Sequence, residues 1–242
     1  MIKEILLLSF LFTTVTLGFS QAHQFSALQA SLESGGIQYQ GLNKVLERFN
    51  TENGSDFKKL NAGVGFDAAF SRVWDDHGIY AGLRYTQLNS QSKADLINGE
   101  GFVKAQQNLV TIESGFSLIQ NNHMEIQIGF GADWRLEKVI VDNSFETTEA
   151  IGEFNGSISP HFQGYIFLSR KIPLAAFGRV YYAWTFSKTD YSKVYNSLQE
   201  EQTFVNDDAM QSRPNLFGFS VGIALVFHER DHSFTRSSAP AN

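Results

Sequence analysis

Met124-Glu125-Ile126-Gln127-Ile128-Gly129-Phe130-Gly131-Ala132-Asp133-Trp134-Arg135-Leu136 is the stretch whose reading decides the fold. In an extended chain successive side chains point to opposite faces. Met124, Ile126, Ile128, Phe130, Ala132, Trp134 and Leu136 then share one face, and Glu125, Gln127, Gly129, Gly131, Asp133 and Arg135 share the other. The alternation holds for 13 residues, beyond the ~3–10 of most soluble strands. Near the end of the chain Phe217, Phe219, Val221, Ile223, Leu225 and Phe227 alternate with Gly218, Ser220, Gly222 and Ala224 in the same way.

Six further segments repeat the pattern with more noise. Val64, Phe66, Ala68, Phe70 and Trp74 oppose Gly63, Gly65, Asp67 and Ser71; Ile79, Ala81, Leu83 and Tyr85 oppose Gly82, Arg84 and Thr86. Val110, Ile112, Phe116 and Leu118 oppose Thr111, Glu113, Gly115 and Ser117; Ile158, Phe162, Ile166 and Leu168 oppose Ser159, His161 and Gln163. Leu174, Val180, Tyr182, Trp184 and Phe186 oppose Arg179, Tyr181 and Thr185. A first strand over Phe25–Ser34 has only Leu28, Ala30 and Leu32 as its apolar row. Short connections near 74–78, 120–123 and 169–172 alternate with long ones at about 34–61, 89–106, 138–156 and 188–213. This predicts an all-β, eight-stranded antiparallel up-and-down transmembrane barrel with short periplasmic turns and long extracellular loops.

The direction of the apolar row separates this from a soluble ligand carrier. An eight-stranded barrel has an interior just filled by side chains, too small for so many Phe, Trp, Ile and Met residues. The polar row is rich in glycine and poor in lysine, as a crowded lumen requires. Trp74, Trp134 and Trp184, with Phe227, lie near strand ends, where membrane barrels carry aromatic girdles.

Composition agrees. The 242-residue chain has 20 Gly, 22 Phe, only 4 Pro and no Cys, and its net charge of −6 leaves no basic footprint for nucleic acid. Residues 1–22 read as a secretory signal, with Lys3, an apolar core over Ile5–Phe12, and Ser20 and Ala22 as small residues before a cleavage point. Residues 23–228 form the barrel, and 229–242 a periplasmic tail. The predicted address is the outer membrane of a double-membrane bacterium.

Inward polar residues at matching heights above the turns define a candidate site. Asp67, Arg84, Glu113, Gln163 and Arg179 predict a layer of paired charges about six residues from the periplasmic turns, and Glu125, Asp133, Arg135 and His161 extend it. A charge in a narrow interior pairs because an unpaired one is costly, so the layer reads as a plug, with an ion path as the alternative.

Catalytic patterns are weak. There is no G-x-S-x-G elbow and no H-E-x-x-H spacing. Ser157, Ser159 and His161 share a face, but that face is the lumen. His228-Glu229-Arg230-Asp231-His232 reads as part of the tail. No catalytic, cofactor or metal residue is predicted. In loop one, Leu42, Val45, Leu46 and Phe49 follow the i, i+3, i+4, i+7 spacing of a short amphipathic helix packed over the loop base. Loop three is acidic through Asp142, Glu146, Glu149 and Glu153; loop four through Glu200, Glu201, Asp207 and Asp208.

On its signal, loop rhythm and final strand ending at Phe227, the chain resembles the small eight-stranded outer-membrane barrels, the family that includes the transmembrane part of outer membrane protein A. The resemblance covers about 23–228 and implies contact with outer-membrane lipids and recognition of the aromatic end of the last strand by the barrel-assembly machinery. Fifteen residues follow Phe227 here, where that family's chains usually stop. The expected function is non-enzymatic and porin-like in plan: a plugged barrel acting through its loops on an unknown extracellular partner or on envelope integrity. The alternatives are a lipid-modifying barrel enzyme and a narrow passage for small solutes.

Overall fold

The computed structural model describes residues 24–74, 78–96, 99–142, 146–168, 172–199 and 207–228. The expected signal segment 1–22 and the tail 229–242 lie outside the described residues, as do Glu200 and Glu201.

Alternation of apolar and polar side chains, with few prolines, makes long strands the favoured local structure. The strands are β1 (Phe25–Ile37), β2 (Ala62–Trp74), β3 (Ile79–Leu96), β4 (Gly99–Gln120), β5 (Met124–Asp142), β6 (Thr147–Phe167), β7 (Leu174–Thr185), the two-residue β8 (Thr189–Asp190) and β9 (Gln211–Ser212), and β10 (Leu216–His228). Helix α1 (Gln40–Asn53) lies in loop one and α2 (Ser192–Leu198) in loop four. Strands β1–β7 and β10 form a closed barrel, each antiparallel to its neighbours, and β1 pairs with β10 through Leu28↔Leu225 and Leu32↔Val221. Closure leaves no open sheet edge, which lipid would not tolerate because it offers no hydrogen bonds to free backbone groups.

The apolar row faces outward. Leu32 is 74% exposed, Phe130 62% and Ile223 57%, whereas Asp67 and Glu113 are buried. Exposed apolar residues from all eight barrel strands make a continuous belt, far beyond the few hundred Å² that soluble monomers expose. The soluble-carrier alternative requires the opposite arrangement. Trp74 and Phe227 mark the periplasmic rim of the belt, and Trp134 and Trp184 its extracellular side, all half-exposed. Arg72 lies over the Trp74 ring at 5.9 Å.

Loops two and three differ from expectation. Instead of long loops at 89–106 and 138–156, β3 and β4 stay paired up to Leu96↔Gly99, and β5 and β6 up to Asp142↔Thr147. These connections are tall hairpins. Their inward residues Leu88, Ala94, Val103, Ala105, Val139, Val141 and Ile151 are buried, while Gln91, Lys93, Lys104, Gln106 and Lys138 alternate with them on the outside. The polarity of the two faces is therefore reversed above the membrane. Backbone beside a buried apolar cluster must be hydrogen-bonded, and the ladder does this.

The lumen is crowded enough to dictate glycines. Gly115 and Gly129 are cross-strand partners. A Cβ on Gly129 would lie 2.2 Å from the Tyr80 hydroxyl, and one on Gly115 would lie 2.7 Å from its ring. The pair opens the slot that Tyr80 fills.

Val221 lies on the belt midway along β10, opposite Leu32. Val221→Arg is expected to cost about 2–4 kcal/mol, the usual penalty for a lipid-facing cation near the bilayer centre. Urea unfolding in phospholipid vesicles measures it.

Candidate functional site

The inward polar residues meet at one level of the lumen. Strand parity turns Asp67, Arg84, Glu113, Gln163 and Arg179 into the lumen, and Gln29 of β1 joins them. Arg84 donates from Nη1 to Asp67 Oδ1 (3.0 Å), from Nε to Glu113 Oε2 (3.2 Å), and from Nη2 to Glu113 Oε1 (3.2 Å), Gln29 Oε1 (2.8 Å) and Gln163 Oε1 (3.2 Å). Arg179 Nη2 lies 3.3 Å from Glu113 Oε2. The fork-on-carboxylate arrangement of Arg84 and Glu113 is the strong form of this interaction. Both residues are 0% exposed, and the Arg84 guanidinium is also stacked 5.2 Å over the Phe177 ring. Gln29, Asp67, Gln163 and Arg179 are buried beside them.

The other expected lumen residues sit around that centre in separate groups. Glu125 accepts from Ser117 and from Gln127 Nε2 (2.7 Å), and Gln127 accepts from Gln163 Nε2 (2.8 Å), so Glu125 reaches the layer through two amides. Asp133 accepts from Thr111 (2.8 Å), Ser157 (2.7 Å) and Ser159 (2.8 Å). His161 meets the Tyr80 hydroxyl through Nε2, and its Nδ1 lies 3.2 Å from the Ser159 carbonyl. Arg135 bonds through Nη1 to Thr185 Oγ1 (2.8 Å) and to the Pro214 carbonyl. Ser157, Ser159 and His161 are all buried in the lumen. Both serine hydroxyls are engaged by Asp133, so no serine–histidine pair is formed.

Each end of the lumen is closed differently. At the periplasmic end Phe25, Val73, Tyr80, Tyr165, Phe177 and Val226 form an apolar cluster. Phe25 meets Tyr165 edge-on at 5.7 Å, and Tyr165 meets Phe177 at 5.3 Å. At the extracellular end α1 buries Leu42, Val45, Leu46 and Phe49, the residues its spacing picks out. They pack with Val194, Tyr195 and Leu198 of α2 and with the inward side chains of the tall hairpins. Phe49 contacts Tyr195 at 6.4 Å and Phe57 at 5.9 Å.

The two long loops are tied together as one cap. A Cβ on Gly41 would lie 2.3 Å from the Met210 carbonyl, so only glycine lets α1 seat this close. Its N–H donates to Ser212 Oγ (2.9 Å). Tyr191 donates to Glu137 Oε1 (2.7 Å). Burial, with the Glu137 carboxylate beside it, pushes the Tyr191 phenol well above its ordinary value, so it remains a donor. Asn43 brackets Leu60, accepting from its N–H (2.7 Å) and donating to its carbonyl (3.1 Å).

Sequence reasoning missed several of these groups. Gln29, Ser31 and Glu33 alternate inward on β1 and could have been found by parity. The apolar row of α2 shows in the sequence only as Val194 and Leu198 four apart, within a loop otherwise marked by its acids. Among the described residues no cluster of His, Asp and Glu has the arrangement of a metal site.

No family model and no curated protein matches this chain. Among solved structures it is similar to a major outer membrane protein of Thermus thermophilus, at 11% identity and a TM-score of 0.49, over 86% of this chain and 100% of that one. It is similar to the outer membrane protein OprG of Pseudomonas aeruginosa, at 10% identity and a TM-score of 0.49, over 87% and 99%. It is also similar to the attachment invasion locus protein Ail of Yersinia pestis, solved with the heparin analogue sucrose octasulfate, at 8% identity and a TM-score of 0.47, over 84% and 99%. The barrel assignment itself rests on the closed strand order and the apolar exterior. Closed antiparallel barrels with such a belt and girdles are the strand-built proteins of bacterial outer membranes, and that is the address of this chain.

Arg84→Met strips Glu113 and Asp67 of their shared guanidinium and is expected to cost about 3–5 kcal/mol, because it leaves buried charge uncompensated. Adding Asp67→Asn, which leaves Glu113 with Arg179 as its one cation, is expected to recover most of the loss. Urea titration of the wild type and both variants in the same vesicles reads both steps.

Proposed function

We propose that the chain is a non-enzymatic outer-membrane barrel that acts through its extracellular cap, in surface interaction or in the integrity of the envelope. The observation that carries this reading is the fate of the lumen. Aromatic residues fill its periplasmic end, the Arg84–Glu113–Asp67 layer its middle, and the undersides of α1 and α2 its extracellular end. A solute path would need all three to open.

The lipid-modifying reading loses its support in the same way. Ser157, Ser159 and His161 are engaged in the lumen and turn away from lipid. What remains to face the surroundings is the cap. Its outer side carries Gln40, Lys44, Glu47, Thr51, Lys58 and Lys59, all exposed. Arg48 and Glu52 pair at 2.8 Å across one helical turn. This face is polar, mixed in charge and fixed from below by an apolar core. An extracellular partner of mixed charge suits it better than nucleic acid, which the net charge of −6 disfavours. Outer-membrane lipids surround the belt, and the barrel-assembly machinery reads the aromatic Phe227 near the end of the last strand.

Three measurements on the full chain test the proposal. Planar bilayers containing the purified protein are expected to show no conductance steps, and incubated lipids are expected to keep their acyl chains. Cells carrying Lys44→Ala, Glu47→Ala and Lys59→Ala together are expected to display the barrel normally yet lose the surface-binding or envelope phenotype that distinguishes the wild type from a deletion strain. Steady conductance, acyl release, or a phenotype untouched by the triple change would overturn the reading.

A further inference from the structure

The lipid-facing belt is not uniform. Where β6 runs beside β7 it is hollowed by a groove of about 420 Å³. Strand parity places Phe162, Gly164 and Ile166 outward on β6, and Ala176, Gly178 and Val180 outward on β7. Gly164 and Gly178 are cross-strand partners, with Phe162↔Val180 on one side of them and Ile166↔Ala176 on the other. The two glycines make the floor. Ile126 of β5, the partner of Gly164, and Phe219 of β10, the partner of Val180, stand at its sides.

The packing of the chain does not ask for these glycines. In the lumen a Cβ on Gly129 or Gly222 would run into its neighbours. A Cβ on Gly164 would have its nearest neighbour at 3.4 Å, and one on Gly178 at 3.9 Å, which is ordinary van der Waals contact. Neither has the positive φ that favours glycine. Gly156, outward and higher on β6, differs, because the Phe186 ring covers it at 3.3 Å. Over the Gly164–Gly178 floor the chain supplies no such cover. Glycine inside a strand weakens it, and one reason to keep it there is the close approach of another molecule.

The occupant follows from the surroundings. The groove is part of the belt, so it opens onto hydrocarbon. Its extracellular end is stopped by Phe162, Val180 and Phe219, close to Val221 in the middle of β10. Toward the periplasm it continues past Ile166 and Ala176 to Met124, where β5 begins. That is the course of a lipid chain entering from the periplasmic leaflet and ending near the bilayer midplane. A second barrel suits it less, since two convex walls meet on their raised side chains and leave a recess between strands empty.

We propose that this groove is a binding site for one acyl chain of a phospholipid in the periplasmic leaflet, laid along the Gly164–Gly178 floor with its methyl end against Phe162 and Phe219. Lipid tails are as apolar as the groove, so the gain is in packing and not in leaving water. The bare floor lets the chain touch backbone beneath and side chains on both flanks, and such contacts, each small, add up. The site recognises shape and not the head group. It does not depend on what the cap binds.

The test refolds the full chain into detergent micelles, titrates it with dipalmitoyl phosphatidylethanolamine, and counts the lipid retained per barrel by native mass spectrometry. The wild type is expected to hold one phospholipid at a concentration about tenfold below that at which further lipids attach. Gly178→Leu fills the floor from a position where a Cβ has room. It is expected to refold, to keep or raise the urea midpoint, and to weaken retention of that lipid about tenfold or more. Gly164→Leu is expected to do the same, and carries the test should Gly178→Leu fail to refold. Ala132→Leu adds equal bulk to the outward face of β5 outside the groove, and is expected to leave retention unchanged. A wild type that holds no lipid more tightly than the rest overturns the proposal, as do glycine variants that retain it or an Ala132→Leu protein that loses it equally. So does a wild-type dimer that Gly178→Leu renders monomeric, because a second barrel then occupies the groove.

Discussion

The Arg84 guanidinium, fixed between the carboxylates of Glu113 and Asp67, is the contact on which the barrel depends. The constraint behind it is geometric. Eight strands enclose a lumen that side chains just fill, and the exterior is lipid. A charge placed inside can neither reach water nor swing outward. It must find an opposite charge or neutral hydrogen-bonding groups within the width of the barrel. Arg84 does so on both sides, and the amides of Gln29 and Gln163 take the last of its donors. Because several strands contribute to this group, with Arg179 from β7 as the second cation, their relative heights are fixed by it. A one-residue slip in register would turn a partner out into lipid.

From this centre the lumen grades into two different materials. Toward the periplasm the strands send in rings: Tyr80 over the glycines of β4 and β5, and Tyr165 and Phe177 against Phe25. Toward the outside they send in hydroxyls and carboxylates, then aliphatic groups. The change at the top follows the change of solvent. Where lipid lies outside, Val110, Ile112 and Phe130 face outward and Thr111, Glu113 and Asp133 inward. Where water lies outside, Lys104 and Gln106 face outward and Val103 and Ala105 inward. One pair of strands is thus built by two opposite rules along its length.

That reversal explains what could be read in the sequence. The membrane-spanning strands were legible because a narrow interior and an apolar exterior impose a strict period of two, as Met124–Leu136 displays. The charged layer was legible because Asp67, Arg84, Glu113, Gln163 and Arg179 share inward parity and comparable distance from their turns. The tall hairpins were not. Around Leu109 and Glu137 the apolar residues pass from the outward row to the inward row, and the alternation loses its phase without the strand ending. Followed along one face, the pattern dissolves into polar residues and looks like a loop. The cap was half legible. Leu42, Val45, Leu46 and Phe49 announced a helix, but nothing local said that it would meet Val194 and Leu198 from the far end of the chain.

The cap is a small water-soluble core mounted on a membrane barrel, and the mounting determines what it can do. Surface loops ordinarily sample many conformations, and a partner must meet the entropic cost of ordering them. Here loop one is pinned at several independent points. Gly41 lies against Met210, Asn43 clasps Leu60, Asn50 accepts from the Phe57 N–H at 2.9 Å, and Leu42 and Leu46 insert among side chains of β3–β6. Those strands are themselves held rigid by the lumen. The same buried polar network that fills the middle of the lumen therefore fixes, one level up, the shape of the cap. Such a face is preformed, so any contact made on it would cost little conformational freedom, which is the physical consequence of mounting two loops on a filled barrel.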